Sequence, residues 1–267
     1  MARDFLKEIV AYKKELIEKQ RVFYAGLKKN LTKTRQTRYH LFKDAIANPG
    51  RMNLISEIKK ASPSQGLIRD DFDVRDLART YAENGADAIS VLTEDKYFLG
   101  KPRYLREVSE EVHLPVLTKD FIIDEMQIYE AFSNGANAIL LIVAILDDKQ
   151  MKDLIQTAAG LDMDCLVEVH GEQDLDRALE AQAEIIGINH RDLHTLAVDM
   201  TTSERLIQRI PKDKVIVAES GIKSHGEIVK LRERGVHAVL IGETFLREKD
   251  VGKKIQEIMK GGVVQSP

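Results

Sequence analysis

The chain has 267 residues, 43% of them hydrophobic and 31% charged, and a formal net charge of −3. No apolar run approaches the ~20 residues that a membrane-spanning helix needs, and the N-terminus, MARDFLKEIV, lacks the apolar core of a secretory leader, so a cytoplasmic protein without a membrane partner is expected. The single cysteine, Cys165, excludes an intrachain disulfide and a cysteine-based metal cluster. It lies in an apolar run and reads as an inert buried thiol.

In chain order, the first 50 residues form a basic arm, with 12 Lys/Arg against 5 Asp/Glu. Phe5, Ile9, Tyr12, Leu16 and Ile17 recur at helical spacing within residues 3–30, and residues 34–48 also read as helix. The basic residues are dispersed, with few aromatics between them and no nucleic-acid motif, so no nucleic-acid partner is expected. A helical extension over residues 1–50, packed across the mouth of the following domain, fits this pattern.

After residue 50 the pattern changes. Short apolar runs fall at 54–58, 88–92, 115–118, 137–143, 165–169, 185–188, 214–218 and 238–241. Between them lie charged segments of helical period such as DVRDLARTYAENGA and EMQIYEAFSNGA, several ending in a glycine suited to a left-handed cap. Strand starts about 20–35 residues apart give one βα unit each. Eight such units predict an α/β fold, a single (β/α)8 barrel over residues 51–260, near the ~250 residues usual for that architecture. GGVVQSP, residues 261–267, reads as a disordered tail.

In such a barrel the reactive groups come from the C-terminal ends of the strands. In LISEIKKASPS, residues 54–64, Glu57 and Lys59 are two apart and share one side of a strand that otherwise belongs in a core. The second run leads into Thr93 and Glu94, and the third ends at Lys119. The fifth carries Glu168, the sixth ends at Asn189 and Arg191, the seventh at Glu219 and Ser220, and the eighth at Gly242. One such polar residue is an ordinary satisfied core group. Six strands doing this at the same end predict a shared site, because each buried charge needs a partner. His170 and His190, next to site residues, are expected to point away from the mouth by strand alternation. Ser220-Gly221 and Gly242 follow the seventh and eighth strands, where barrels commonly bind phosphate, and glycine lets backbone N–H groups approach the phosphate oxygens. The seven histidines show no ligand spacing, so no metal and no organic cofactor are expected.

ISEIKKASPSQG resembles the signature of the indole-3-glycerol phosphate synthase family, and PVLTKDFIID, LVEVH, IGINHRDLHTL and VAESGI resemble further blocks of that family in the same order. The resemblance spans about residues 50–250. It implies a carboxy-lyase of tryptophan biosynthesis whose small-molecule substrate is 1-(2-carboxyphenylamino)-1-deoxyribulose 5-phosphate. It implies Lys119 as the chief acid with Lys59 beside it, Glu168 as base, Glu57 orienting Lys59, and Asn189 and Glu219 bonded to reacting groups and sugar hydroxyls. Arg191 is then expected near the aromatic carboxylate, and Ser220, Gly221 and Gly242 at the phosphate, with Ser62 in the same binding set. Pro63, Phe98, Phe121 and Leu193 are candidates for the apolar slot around the ring. Lys101, Thr118 and His190 depart from the residues usual in the family. The alternatives are another sugar-phosphate barrel enzyme, or a non-catalytic barrel that binds a phosphorylated ligand. The first would carry an Asp or Cys pair in place of the Lys/Glu set, and the second would have lost a catalytic residue. A monomer or small homo-oligomer is expected.

Overall fold

A computed structural model of the chain describes residues 5–31, 39–63, 65–192, 195 and 197–260. The predicted tail at 261–267 and the predicted ring contact Leu193 lie outside the described residues. Eight parallel strands close into a barrel: β1 (Asn53–Ile58), β2 (Ala88–Leu92), β3 (Val116–Lys119), β4 (Ala138–Ile142), β5 (Asp164–Val169), β6 (Ile185–Asn189), β7 (Val215–Glu219) and β8 (Ala238–Ile241). The order is sequential and β8 pairs back onto β1, with Asn53 opposite Ala238 and Ser56 opposite Ile241. These are the eight apolar runs of the sequence, which is why their existence and order are legible without a structure.

The helices are α1 (Phe5–Lys19), α2 (Arg21–Asn30), α3 (Leu41–Ile46), α4 (Val74–Glu83), α5 (Arg103–Glu111), α6 (Glu125–Ser133), α7 (Asp148–Ala159), α8 (Glu172–Glu180), α9 (Thr201–Ile207), α10 (His225–Glu233), α11 (Glu243–Leu246) and α12 (Val251–Lys260). The starts of α4, α6, α7 and α10 carry a side-chain cap. The Asp73 side chain accepts from the N–H groups of Arg75 and Asp76, and capping boxes open α6 (Asp124 with Gln127) and α10 (Ser224 with Glu227). The glycines read as left-handed caps adopt positive φ after α4 and α6, 92° at Gly85 and 98° at Gly135. Among the described residues, no helix is long and apolar enough to cross a membrane.

Two apolar layers hold the barrel. The outer one packs helices such as α4 and α5 against the outward residues of the strands, with Tyr81, Leu105 and Ile89 fully buried. The inner one fills the barrel with Ile55, Leu117, Leu140, Leu166, Val217 and Leu240. The N-terminal segment adds to the inner layer from two directions. Leu6 and Ile9 of α1 join it beside Phe121, which follows β3, while Phe42 and Ile46 of α3 join it beside the first residues of the strands. The described helix of the segment predicted over 34–48 is thus a plug at the N-terminal end of the barrel. There Asp164 of β5 accepts from the N–H groups of Phe42 and Lys43, and Asn53 of β1 donates to the carbonyl of Ile46.

On α1 the buried positions are Leu6, Ile9 and Lys13. The predicted stripe of Phe5, Ile9, Tyr12, Leu16 and Ile17 lies on the packed side, with Ile9 fully buried and Phe5 and Ile17 against the core, and Lys13 joins it, its ammonium 2.6 Å from Asp120. Only 4% of Lys13 is exposed. An ion pair has taken a position that a hydrophobic pattern assigns to solvent.

Candidate active site

A (β/α)8 barrel is filled by layers of four side chains drawn from alternate strands. The uppermost layer from the odd strands here is Glu57, Lys119, Glu168 and Glu219, from β1, β3, β5 and β7. The layer beneath it is Ile55, Leu117, Leu166 and Val217. One step along the strands therefore replaces four aliphatic side chains with three carboxylates and an ammonium. Lys59, just past β1, adds a second cation, with its Nζ 2.5 Å from Glu57 Oε1. The shared side predicted for Glu57 and Lys59 is the arrangement found.

Lys119 stands between two carboxylates, 2.7 Å from Glu219 Oε2 and 3.2 Å from Glu168 Oε2. Both glutamates are 1% exposed. Burial opposes the charge on Lys119, yet Glu219, Glu168 and Glu57 outweigh it and hold its pKa above the ordinary ammonium value. Burial likewise pushes Glu168 up, but Lys119, His170 and the Asn189 amide outweigh it and hold Glu168 below the usual carboxylate range. Glu219 has less help. Burial and the Glu168 charge prevail over Lys119 and raise its pKa to about 7. Its Oε1 is buried without a hydrogen-bond partner. Two carboxylates on one lysine are thus driven apart in proton affinity.

Two glycines make room for this layer. A Cβ on Gly187 of β6 would lie 2.4 Å from Glu219 Oε1, and one on Gly242 would lie 2.8 Å from Glu57 Cβ. Gly242, predicted from the sequence as a phosphate contact, therefore also seats Glu57.

The charged layer forms the floor of a cavity of about 830 Å³. Lys59, Lys119, Glu57, Glu168, Asn189 and Glu219 all line it, as do Ser62, Pro63, Phe98, Phe121, Arg191, Ser220, Gly221 and Gly242. Every predicted site residue within the described part of the chain is brought to this one space. Ser62 and Pro63 arrive on a short hairpin, Ala61–Ser62 with Gly66–Leu67, that the sequence reading did not foresee. Phe98 and Phe121 face each other with centroids 6.2 Å apart, and Phe5 of α1 packs edge-on against Phe121. On the opposite side Ser220 and Gly221 are consecutive residues of positive φ, 67° and 80°. Gly221 has no room for a side chain, since a Cβ would lie 2.5 Å from Val198 Cγ1. Arg191 lies on this side too, 3.8 Å from Glu243, whose carboxylate also takes a 3.1 Å hydrogen bond from Arg247. Of the remaining strand-end groups, Glu94 is spent on structure. Its carboxylate accepts from the N–H groups of Lys96, Tyr97 and Phe98 and so shapes the loop that delivers Phe98.

The histidines divide. His190 is directed away from the cavity, with Nε2 2.5 Å from Ser203 Oγ and Nδ1 2.9 Å from the Ser220 carbonyl. His170 is a correction: its Nε2 sits 3.3 Å from Glu168 Oε1. Residues 168 and 170 are two apart, so alternation itself puts them on one side, and that parity was the missed signal. Asp120, bonded to Lys13, the Phe121 N–H and Thr93 Oγ1, was also missed. Of the departures from the family pattern, Lys101 is exposed, and Thr118 is buried beside Thr93, 3.2 Å between hydroxyls.

A closed parallel barrel whose strand ends converge as lysines and glutamates on one glycine-edged cavity has the organisation of a (β/α)8-barrel enzyme. Solved barrels similar to it include 3-hexulose-6-phosphate synthase from Salmonella typhimurium, at a TM-score of 0.63 and 12% identity over 78% of this chain and 97% of that one. N-acetylmannosamine-6-phosphate 2-epimerase from Clostridium perfringens matches at 0.61 and 14% over 84% and 99%. At that identity they speak for the fold alone. The family model described as indole-3-glycerol phosphate synthase matches residues 6–258. Proteins of that name from Acetivibrio thermocellus and Caldanaerobacter subterraneus are each 48% identical, covering 94% and 96% of this chain and 98% and 97% of their own. The chain belongs to the indole-3-glycerol phosphate synthase family, carboxy-lyases of tryptophan biosynthesis.

Proposed function

We propose that the chain closes the indole ring of 1-(2-carboxyphenylamino)-1-deoxyribulose 5-phosphate, with Lys119 as the acid and Glu168 as the base. The observation that carries this reading is the Lys119 ammonium held between Glu168 and Glu219 on the floor of the cavity. The aromatic carbon bearing the carboxylate attacks the ketone carbon, and the ketone oxygen takes a proton from Lys119. Carbon dioxide then leaves and returns its bonding pair to the ring. In the second half, Glu168 removes a proton and the new hydroxyl departs as water, with a proton supplied by a lysine. Lys119 and Lys59 are the two candidates for that last donation, each already paired with a carboxylate.

The two roles are coupled electrostatically. At rest Lys119 is charged and Glu168 is a weak base, because the ammonium holds its proton affinity down. Once Lys119 has given up its proton, that restraint is gone and the affinity of Glu168 for a proton rises. The acid step thus prepares the base step. Glu57 orients Lys59, while Asn189 and Glu219 bond to the sugar hydroxyls and reacting groups. Backbone N–H groups around Ser220, Gly221 and Gly242 receive the phosphate, and Arg191 supplies a cation to the anionic substrate. Ser62 and Pro63 border the cavity from the hairpin, and Phe98 and Phe121 flank the aromatic ring. Helix α1 acts as a lid, with Phe5 among the cavity-lining residues.

The test is to add purified protein to the carboxyphenylamino-deoxyribulose phosphate and follow the indole fluorescence. Steady growth is expected, with turnover lowered by ~10²–10⁴-fold in Lys119→Met or Glu168→Gln, the usual contribution of a positioned acid or base. Near-normal turnover in either variant removes that residue from its role.

A further inference from the structure

We propose that His170 is a positioning residue for Glu168, a charged link between the base and Asp174 of α8 that keeps one carboxylate oxygen fixed while the other faces Lys119. The inference rests on the reading of Glu168 as the base. Each oxygen of Glu168 has its own cation: Oε2 has Lys119 at 3.2 Å, and Oε1 has His170 Nε2 at 3.3 Å. His170 is itself anchored. Its backbone N–H donates to Asp174 Oδ2 at 3.0 Å, and the same oxygen lies 3.8 Å from Nδ1 of the ring. The ring therefore stands within ion-pair distance of two carboxylates, one on the strand end and one on the first turn of the following helix, with both ring nitrogens buried and neither in hydrogen-bonding geometry.

The surrounding charges favour the imidazolium. Burial disfavours it, but Asp174 and Glu168 prevail, and the pKa of His170 rises to about 10. Arg177, the basic residue of α8 closest to Asp174 in sequence, is turned to Asp148 and to the carbonyls of Val143 and Leu146. The consequence is an asymmetry between the two glutamates on Lys119. Glu168 has a second cation and stays ionised; among the described residues Glu219 has Lys119 as its one cation and takes up a proton near neutrality. With both carboxylates equal, a proton would be shared between them and the base would be blocked part of the time. His170 decides which one carries it.

The experiment compares His170→Asn and Asp174→Asn with wild type. Asn at 174 keeps an acceptor for the His170 N–H and so preserves the turn. Without the imidazolium the proton affinity of Glu168 rises, and the base form is lost at higher pH than before. An opposite charge at this distance moves a pKa by ~1 unit or more, so the acid limb of the kcat–pH profile is expected to move to higher pH by ~1 unit in His170→Asn. Asp174→Asn should move it the same way by less, with KM little changed in both. A role confined to packing would lower kcat equally at all pH. The ¹⁵N shifts of the ring give a second readout, expected to show imidazolium at about pH 8. A neutral ring there, or pH profiles superimposable on wild type in folded variants, overturns the proposal. Glu168→Gln separates the two claims. If it abolishes turnover while the His170 profile is unmoved, only the positioning role falls; if it retains turnover, both fall.

Discussion

Strand β5 carries two buried carboxylates that face the inside of the barrel, Asp164 at its start and Glu168 four residues on. At the closed end, Asp164 is used up by local structure. Its oxygens accept from the N–H groups of Phe42 and Lys43, and the His40 ring is 2.9 Å away. It is the first-turn anchor of α3. At the open end, the partners of Glu168 among the described residues are the side chains of Lys119, His170 and Asn189, and Lys119 ties it into a network of three carboxylates and two lysines around a cavity. Burial is the same at both ends. What separates a structural acid from a reactive one is whether backbone donors or mobile charged side chains satisfy it.

Substituting the two acids should therefore have different effects on turnover. Asp164→Ala removes the acceptor for two helix N–H groups, which costs about 1–3 kcal/mol of stability, while the protein that remains folded turns over at nearly the wild-type rate. Glu168→Gln should lower turnover by about 10²–10⁴-fold, and it also loses the stability that the ion pair with Lys119 adds above the unfolded pKa. Thermal denaturation and steady-state kinetics on the same two preparations decide it. Equal loss of turnover in both would mean that the ends of β5 are not divided in this way.

Glu219 offers a second contrast with Glu168, because the two shifts have opposite consequences for stability. A carboxyl whose folded pKa is lowered, as in Glu168, adds stability above its unfolded value that is lost in acid. Glu219 is raised to about 7, so between its unfolded value near 4.3 and about pH 7 the folded state binds more protons than the unfolded one, and stability falls as pH rises. Glu219→Gln should remove that fall. The variant is expected to be more stable than wild type by about 1–3 kcal/mol at pH 8, and by much less at pH 5. Urea titrations at the two pH values test this; parallel behaviour of variant and wild type would show that Glu219 is ionised throughout.

These contrasts were partly legible in the sequence. The eight strands were readable because each is a short apolar run bounded by charged helical segments, a local signal. The reactive layer was readable for the same reason in reverse, since Glu57, Lys119, Glu168 and Glu219 break apolar runs that burial would otherwise keep uniform. Side-chain partners over long sequence distances were not readable. That Lys13 is buried depends on Asp120, and that α3 closes the opposite end of the barrel from α1 depends on Asp164 and Asn53. The dual use of Gly242 depends on where Glu57 lies. None of these leaves a periodic trace. His170 is different, because its parity with Glu168 was present in LVEVH all along.

The smallest expected effect concerns the division of the N-terminal segment between the two ends. Helix α1 touches the loops after β2 and β3, through Phe5 on Phe121, Tyr12 on Asp95 at 2.7 Å, and Lys13 on Asp120. Asp120 also accepts from the Phe121 N–H, so the Lys13 ion pair steadies the loop that follows Lys119 and presents Phe121 to the cavity. Removing residues 1–31 should therefore weaken substrate binding and leave the barrel folded, whereas removing residues 1–47 also takes away Phe42 and Ile46 and uncovers the inner core. Lys13→Met is the point version of the shorter deletion, and a KM raised by about three- to tenfold, or ~1 kcal/mol, is expected with kcat less affected. The melting temperature should separate the two deletions, falling further for the longer one. An unchanged KM in both Lys13→Met and the shorter deletion would leave α1 as a packing element only and restrict the substrate's contacts to the barrel itself.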